Sequence, residues 1–256
     1  MIDLHSHLLP GVDDGAASWV EADAMLRRWR ALGFTGVVAT PHLKQALDQA
    51  YLDRIDEAFA EVTRLAEPLG IEVRRGFENL LSPELPAHLQ AGLPLTLGGS
   101  RAVLVELPFQ QWPHHADHTL FALQTAGYQP ILAHPERYAE VQRNPAVAVR
   151  LAERGIALQV NIGSLTGRYG RAARRVAETL LRRNAVAIVA SDAHGAGVTF
   201  DDLDQGIQRL NELSGNGAQL LLSERPRALL DPTSRMTLPI PTDDHHDAPG
   251  WRRFFR

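Results

Sequence analysis

Seven short apolar runs alternate with segments of helical period along most of this chain, and that alternation limits its fold more than any other property. The runs cover residues 1–4, 36–39, 71–74, 102–106, 130–133, 157–161 and 185–190. They are apolar at nearly every position rather than every second one, as strands covered on both faces are. Residues 19–32, 51–69, 115–126, 145–154, 171–183 and 201–213 carry apolar residues at helical spacing instead. Strands joined through helices pair in parallel, because parallel neighbours need a long crossover. About seven βα units in roughly 210 residues predict an α/β protein folded as one closed or nearly closed, TIM-like barrel. The rival is an open doubly wound sheet, but neither a GxGxxG nor a GxxxxGK[ST] loop is present.

A parallel barrel brings the C-terminal ends of all its strands to one mouth. Here those ends carry imidazoles and carboxylates. His5 and His7 close the first run, His42 follows the second, Glu78 follows the third and Glu106 ends the fourth. His134 ends the fifth, and Asp192 and His194 end the seventh. Residues two apart on a strand share a face, so His5 pairs with His7 and Asp192 with His194. The loop Pro10-Gly11-Val12-Asp13-Asp14-Gly15 follows at once, with glycines that let it fold back over the mouth. Asp13 and Asp14 can each reach a metal or cap the next helix. Glu106 closes the apolar run Val103-Leu104-Val105, where a buried carboxylate is costly without a cation.

The chain has no cysteine. That excludes disulfides, thiolate-held zinc, iron–sulfur clusters and a cysteine nucleophile. A metal among His, Asp and Glu would be Mn, Fe, Zn or Mg. One loop aspartate with Glu78, Glu106 and Asp192 makes four carboxylates. Two divalent ions would only neutralise them, whereas three leave a net positive charge suited to a phosphate dianion and positions for water and substrate.

With 256 residues, 45% of them hydrophobic, the chain can bury one large core. Its net charge of −4 and lack of a basic run argue against nucleic acid. No stretch approaches the roughly 18 apolar residues of a membrane span, and ligands starting at His5 leave no room for a cleaved leader. The expectation is a cytoplasmic protein with a barrel over residues 1–237. Residues 238–256 form an extended or loosely docked tail, ending in Trp251-Arg252-Arg253-Phe254-Phe255-Arg256. His88, His114, His115, His118, His245 and His246 read as surface residues.

Several blocks resemble the PHP (polymerase and histidinol phosphatase) superfamily, over residues 1 to about 230. They are Asp3-Leu4-His5-Ser6-His7 with Val12-Asp13-Asp14-Gly15, Ala39-Thr40-Pro41-His42, His134-Pro135-Glu136-Arg137-Tyr138, Gln159-Val160-Asn161-Ile162-Gly163-Ser164 and Ser191-Asp192-Ala193-His194. The first and third look like the manganese-dependent protein tyrosine phosphatases of bacterial capsular and exopolysaccharide loci (the CpsB/CapC type). The resemblance implies a distorted (βα)7 barrel with three metal ions, manganese first and iron or zinc as alternatives. It implies His5, His7, Glu106 and Asp192 on one ion, and Glu78, Glu106 and His134 on a second, with Glu106 bridging. Asp14, His42 and His194 would hold the third, which favours Asp14 over Asp13.

Arg137 matches a family arginine that binds phosphate, and a guanidinium suits bidentate phosphate recognition. Relatives often carry a second arginine shortly after the Asp-x-His motif, and here Gly195-Ala196-Gly197-Val198-Thr199-Phe200-Asp201-Asp202 has none. Arg168 is the candidate replacement. Phe109, Trp112 and Tyr169 are candidate walls for an aromatic ring. The expected reaction is hydrolysis of a phosphotyrosyl protein, in particular a tyrosine kinase of polysaccharide synthesis. Metal-activated hydroxide would attack phosphorus, and Asp14 or His42 would protonate the leaving oxygen. The alternatives are a small-molecule phosphatase, such as one acting on histidinol phosphate, and an idle module that docks a kinase. Oligomer formation is left open.

Overall fold

The structure, a computed structural model, describes residues 1–43, 49–215, 217–234 and 236–242. Its strands are β1 (Ile2–Ser6), β2 (Gly36–Ala39), β3 (His42–Leu43), β4 (Glu72–Arg75), β5 (Glu78–Leu80), β6 (Ala102–Glu106), β7 (Gln129–Ala133), β8 (Ala157–Asn161) and β9 (Ile188–Ala190). All pairings are parallel, in the orders β1-β2-β4 and β3-β5-β6-β7-β8-β9. β2 with β3, and β4 with β5, are two halves of one broken strand each. Pro41, which has no amide hydrogen, marks the first break, and its carbonyl accepts from the Glu78 amide at 3.1 Å. A parallel bridge from Ser6 to Ala193 joins the last strand to the first. The Asp192 amide donates to the His5 carbonyl at 3.0 Å and the His7 amide to the Ala193 carbonyl at 2.9 Å. The result is the expected seven-stranded closed barrel, not the open sheet.

Helices α1 (Trp19–Ala31), α2 (Gln49–Ala66), α3 (Leu85–Gln90), α4 (Ala116–Thr125), α5 (Ala139–Arg143), α6 (Ala146–Glu153), α7 (Ile162–Thr166), α8 (Gly170–Arg182) and α9 (Val198–Ser214) follow the strands. α1 starts at Ser18, whose hydroxyl accepts from the Glu21 amide, while the Glu21 carboxylate accepts from the Ala17 amide. The first bond satisfies an amide the helix leaves free, and the second ties the chain just before the cap to the first turn. The three short helices α3, α5 and α7 have too few turns to produce a readable period, and the sequence reading did not anticipate them.

Apolar side chains fall into two layers. Leu4, Val38, Leu104, Ile131, Ala133, Ala157 and Ile188 fill the barrel interior together with Leu229 and Leu230. A larger cluster, including Trp29, Phe34, Ile55, Leu158, Val160, Leu180 and Val189, lies between the strands and helices. Alternation in β8 is regular: Ala157 joins the interior layer, Leu158 and Val160 the outer one. In β1 it is not. Asp3 pairs with Val37 and Ser6 with Ala39, one residue more on β1 than on β2. Such a bulge re-aims side chains. Asp3 accepts from Trp29 of α1 on the outside, Leu4 packs in the interior layer, and His5 meets Gln159 of β8. The start of the tail lies along the end of α8: the Ile240 carbonyl accepts from Asn184 at 3.0 Å, and the Thr242 amide donates to Arg183 at 2.8 Å. Residues 243–256 of the predicted tail, with His245 and His246, lie outside the described residues. Among the described residues no helix is long and apolar enough to cross a membrane.

Candidate metal centre

The eight residues picked out at strand ends converge with the loop residue Asp14 on one patch at the barrel mouth. Donor atoms of His7, Asp14, His42 and His194 lie within 4.8 Å of one another, as do those of His5, His134 and Asp192. The same holds for His5, His7 and Glu78, and for His42, Glu78 and Glu106. Seven of the nine donors are buried or nearly so, while His194 is partly open and Asp14 stands at the rim with its side chain 67% exposed. His88, His114 and His118 are exposed, His115 is half-buried, and all four fall outside these groups.

The carboxylate at the centre is Glu78. Its Oε2 lies 3.3 Å from His5 Nε2, 3.4 Å from His7 Nε2 and 2.9 Å from His42 Nδ1, and its Oε1 is 2.9 Å from His134 Nε2. Glu106 reaches His42 Nδ1 at 3.0 Å. Glu78 thus lies close to four imidazoles, and Glu106 shares the His42 ring with it. The reason lies in register: β3 pairs with β5 so that His42 is directly beside Glu78.

Donor and acceptor roles at the centre do not close among protein groups. His7 Nδ1 donates to Asp13 Oδ2 at 2.7 Å and His5 Nδ1 to Gln159 Oε1 at 2.9 Å. In the neutral rings both Nε2 atoms then present lone pairs to each other, 3.3 Å apart. His42 Nδ1, Glu78 Oε2 and Glu106 Oε1 are buried and close, yet none has a correctly aligned hydrogen bond. Buried polar atoms left in that condition are costly. Protons or cations must lie among them, and imidazole nitrogens with carboxylate oxygens are donors that suit divalent first-row metals.

Titration follows the same logic. Burial alone would lower His5, but the charges of Glu78 and Asp192 outweigh it and hold the ring up at about 8. Burial also disfavours protonation of His42, and the Glu106 and Glu78 carboxylates close beside its Nδ1 raise it to about 9. Burial opposes ionisation of Asp13, yet the His7 imidazole holds it down at about 2. Glu78 and Asp192 are likewise kept ionised against burial, chiefly by the charge of His5. His194 goes the other way, lowered by burial and by the charge of His7.

Asp13 settles into a role of its own. Besides His7 it accepts from the Gly15 amide at 2.9 Å and the His42 amide at 3.0 Å. It fixes the orientation of one imidazole and the backbone of another, while its neighbour Asp14 faces the cluster: Asp14 Oδ1 is 3.4 Å from His42 Nε2 and 3.7 Å from His194 Nε2. Gly15 makes this possible, since a Cβ there would lie 2.1 Å from the His7 carbonyl oxygen.

Arg137 follows His134 on a 3-10 turn and donates to Asp192 Oδ2 at 2.8 Å. Its guanidinium lies between two rings, 4.6 Å from the Phe109 centroid and 4.3 Å from that of Tyr169. Both aromatics therefore gather at the mouth as cation–π partners of Arg137. Trp112 packs edge-on to Tyr138 at 6.2 Å instead. Arg168 is bound to Asp202, by Nε at 3.0 Å and Nη2 at 2.8 Å, so a carboxylate already offsets its charge. Sequence reasoning left four buried groups without a role. Asp3 accepts from the His5 and Ser191 amides and ties the two ends of the barrel seam. Glu136 accepts from the Asn161 amide and the Ser164 hydroxyl. Gln159 and Asn161 link His5 to Asp192. The signal for these last two was their spacing: two polar residues two apart on an otherwise apolar strand share a face.

Fold and site together put this protein among the closed parallel barrels that gather His and carboxylate side chains at their C-terminal mouth. The family model for capsular polysaccharide synthesis proteins, CpsB/CapC, matches residues 1–231. The chain belongs to that family. It is 31% identical over 232 residues to the tyrosine-protein phosphatase YwqE of Bacillus subtilis, covering 90% of this chain and 91% of that protein. It is 27% identical over 201 residues to the tyrosine-protein phosphatase CpsB of Streptococcus pneumoniae, covering 76% and 83%. Among solved structures, those of YwqE from Bacillus subtilis and CpsB from Streptococcus pneumoniae, described as metal-dependent tyrosine phosphatases, include a chain that superposes with a TM-score of 0.85 at 30% identity, covering 95% of this chain and 100% of that one.

Proposed function

We propose that this chain is a metal-dependent protein-tyrosine phosphatase. Its metal centre comprises His5, His7, Asp14, His42, Glu78, Glu106, His134, Asp192 and His194, with three divalent ions, manganese foremost. The observation that carries this reading is the set of buried, close and unsatisfied atoms His42 Nδ1, Glu78 Oε2 and Glu106 Oε1, ringed by six further donors. The family match and the named activity of the relatives support it.

Divalent ions held there would polarise the phosphoryl oxygens and make a coordinated water nucleophilic near neutral pH. Phosphate recognition falls to Arg137. Its side chain is 24% exposed, its Nη1 is held by Asp192, and two rings fix its plane. Its other N–H groups are the donors for the equatorial phosphoryl oxygens, whose charge grows in the transition state. Asp14 and His42, at the open side of the cluster, are placed to hand a proton to the leaving phenolate. Phe109, 37% exposed, offers an apolar edge to the tyrosyl ring. The substrate is a phosphotyrosyl protein, and the family's place in capsular polysaccharide synthesis points to a tyrosine kinase of that machinery.

The test is Mn²⁺-dependent hydrolysis of a phosphotyrosyl peptide beside histidinol phosphate, with metal content determined on the same protein. Bound metal and preference for the peptide are expected; preference for histidinol phosphate would move the chain to the small-molecule alternative, and no hydrolysis with metal bound would revive the idle-module reading. Arg137→Ala should lower kcat/KM by about 100-fold, the usual cost of one transition-state donor, with metal content unchanged. Unaltered kinetics would remove Arg137 from the mechanism.

A further inference from the structure

Gln159 and Asn161 lie on β8 at the floor of the site, completely buried, and neither is a donor of the proposed metal centre. They nevertheless span it. Asn161 Nδ2 donates to Asp192 Oδ2 at 2.7 Å. Gln159 Nε2 donates to Asn161 Oδ1 at 2.7 Å. Gln159 Oε1 faces His5 Nδ1 at 2.9 Å. His5 and Asp192 meet again on the far side, where His5 Nε2 is 3.4 Å from Asp192 Oδ1. The four side chains form a ring that is closed by hydrogen bonds on three sides and by the candidate metal position on the fourth.

The polarity of that ring is forced from one end. Asp192 Oδ2 also takes the Arg137 guanidinium at 2.8 Å, and a carboxylate oxygen facing a guanidinium, which can only donate, is an acceptor. Asn161 must therefore turn its NH₂ to Asp192 and its oxygen to Gln159. Gln159 must in turn donate its NH₂ to Asn161 and present its oxygen to His5. His5 Nδ1 must then carry the proton. Each amide has one donor end and one acceptor end here, so no member can flip alone without setting two acceptors or two donors against each other.

We infer that Gln159 and Asn161 are positioning residues that lock His5 into the Nδ1–H tautomer, with its Nε2 lone pair aimed at the metal position, and keep Asp192 Oδ2 occupied so that Oδ1 is the oxygen it offers. The inference rests on the metal centre proposed above. Its physical content is preorganisation. A ring whose second nitrogen is held by a fixed acceptor does not have to be turned or change tautomer when the ion arrives. Asp13 does the same for His7 at 2.7 Å, but from a loop with an exposed rim. The Gln159–Asn161 pair acts from the rigid interior of a strand, and it couples two donors instead of orienting one.

The experiment is Mn²⁺ titration calorimetry on the full chain and on Gln159→Leu and Asn161→Leu, which keep side-chain size and remove the polar groups. Both variants should bind Mn²⁺ about 10–100-fold more weakly, the usual loss on removing such a partner. Activity should return towards the unsubstituted level at high Mn²⁺, with the metal dependence displaced rather than the saturated kcat lost. Unchanged Mn²⁺ affinity in folded Gln159→Leu would overturn the inference. Absence of any Mn²⁺ binding in the unsubstituted protein would instead remove the metal centre on which it rests. If the variants do not fold, the unsubstituted protein still decides. In its zinc-loaded, diamagnetic form, ¹⁵N NMR of the His5 ring should find the proton on Nδ1, and a proton on Nε2 would refute the relay.

Discussion

His134 and Asp192 sit in a backbone conformation that side chains avoid, with φ of 34° and 53°. Each ends a strand, and the left-handed turn directs its side chain into the mouth instead of along the strand. Non-glycine residues in that region cost on the order of 1–3 kcal/mol, and such strain collects at functional sites. The nine donors also compete with one another for protons. His5 and His42 titrate at about 8 and about 9 in the folded, metal-free protein, against an ordinary value of 6.5. Their charged forms stabilise the fold fully below pH 6.5, and that contribution is lost as the pH rises through 8 and 9. Asp13, Glu78 and Asp192 are held below their ordinary values of 3.8 and 4.5. Their contribution is present above those values and is lost on acidification. The chelated protein should therefore show its highest Tm between about pH 5 and 6.5 and fall towards pH 9. With Mn²⁺ bound the ions stand in for the imidazole protons, and the alkaline fall should disappear. Melting curves with and without chelator check this, and a chelated protein that gained stability from pH 6.5 to 9 would contradict it.

At the scale of elements, three devices bring the donors together. The bulge in β1 turns Leu4 inward to the core and still lets His5 reach Gln159. The break at Pro41 separates β2 from β3 and sets His42 beside Glu78. The short α7, immediately after Asn161, packs against α9 at Gly206, where a Cβ would lie 2.3 Å from Ile162 Cγ2 and 2.9 Å from the Ile162 carbonyl oxygen. Gly206→Ala should therefore destabilise the protein by about 1–3 kcal/mol, the range for overpacking a filled contact. It should also depress activity, because Ile162 cannot shift without moving Asn161. Thermal unfolding and phosphatase assays on the same sample test both, and a variant as stable and as active as the parent would show that the contact is soft. None of the three devices was legible beforehand. A bulge changes neither composition nor period, and five residues of helix give less than two turns of pattern.

For the whole molecule, the candidate donors come from β1, β3, β5 and β6 and from the turns after β1, β7 and β9, so bound ions would link the first, middle and last strands of the barrel. A ligand that binds only the folded state at about 100 times its Kd adds about 2.7 kcal/mol, which for a chain of this size is a Tm shift of about 5–10 °C. Chelation should lower the Tm by that amount near neutral pH, and a protein with measured metal whose Tm ignored chelation would show the ions to be peripheral. The barrel and most of the residues at its mouth were legible in the chain. Near-continuous apolar strands must be covered on both faces, parallel strands need crossovers, and the ends of parallel strands meet at one face. Those rules act locally, so eight of the nine candidate donors could be named from their positions, while the choice of Asp14 over Asp13 came from the family resemblance. How the candidate donors divide the work came from long-range packing alone. Glu78 comes within reach of four imidazoles, with His42 directly beside it in the strand register. Phe109 and Tyr169 gather around Arg137, while Arg168 is drawn away to Asp202. Gln159 and Asn161 acquire a direction because Asp192, 31 residues beyond Asn161 in the chain, can only accept. Register and hydrogen-bond polarity are relations between distant residues, and no local pattern contains them.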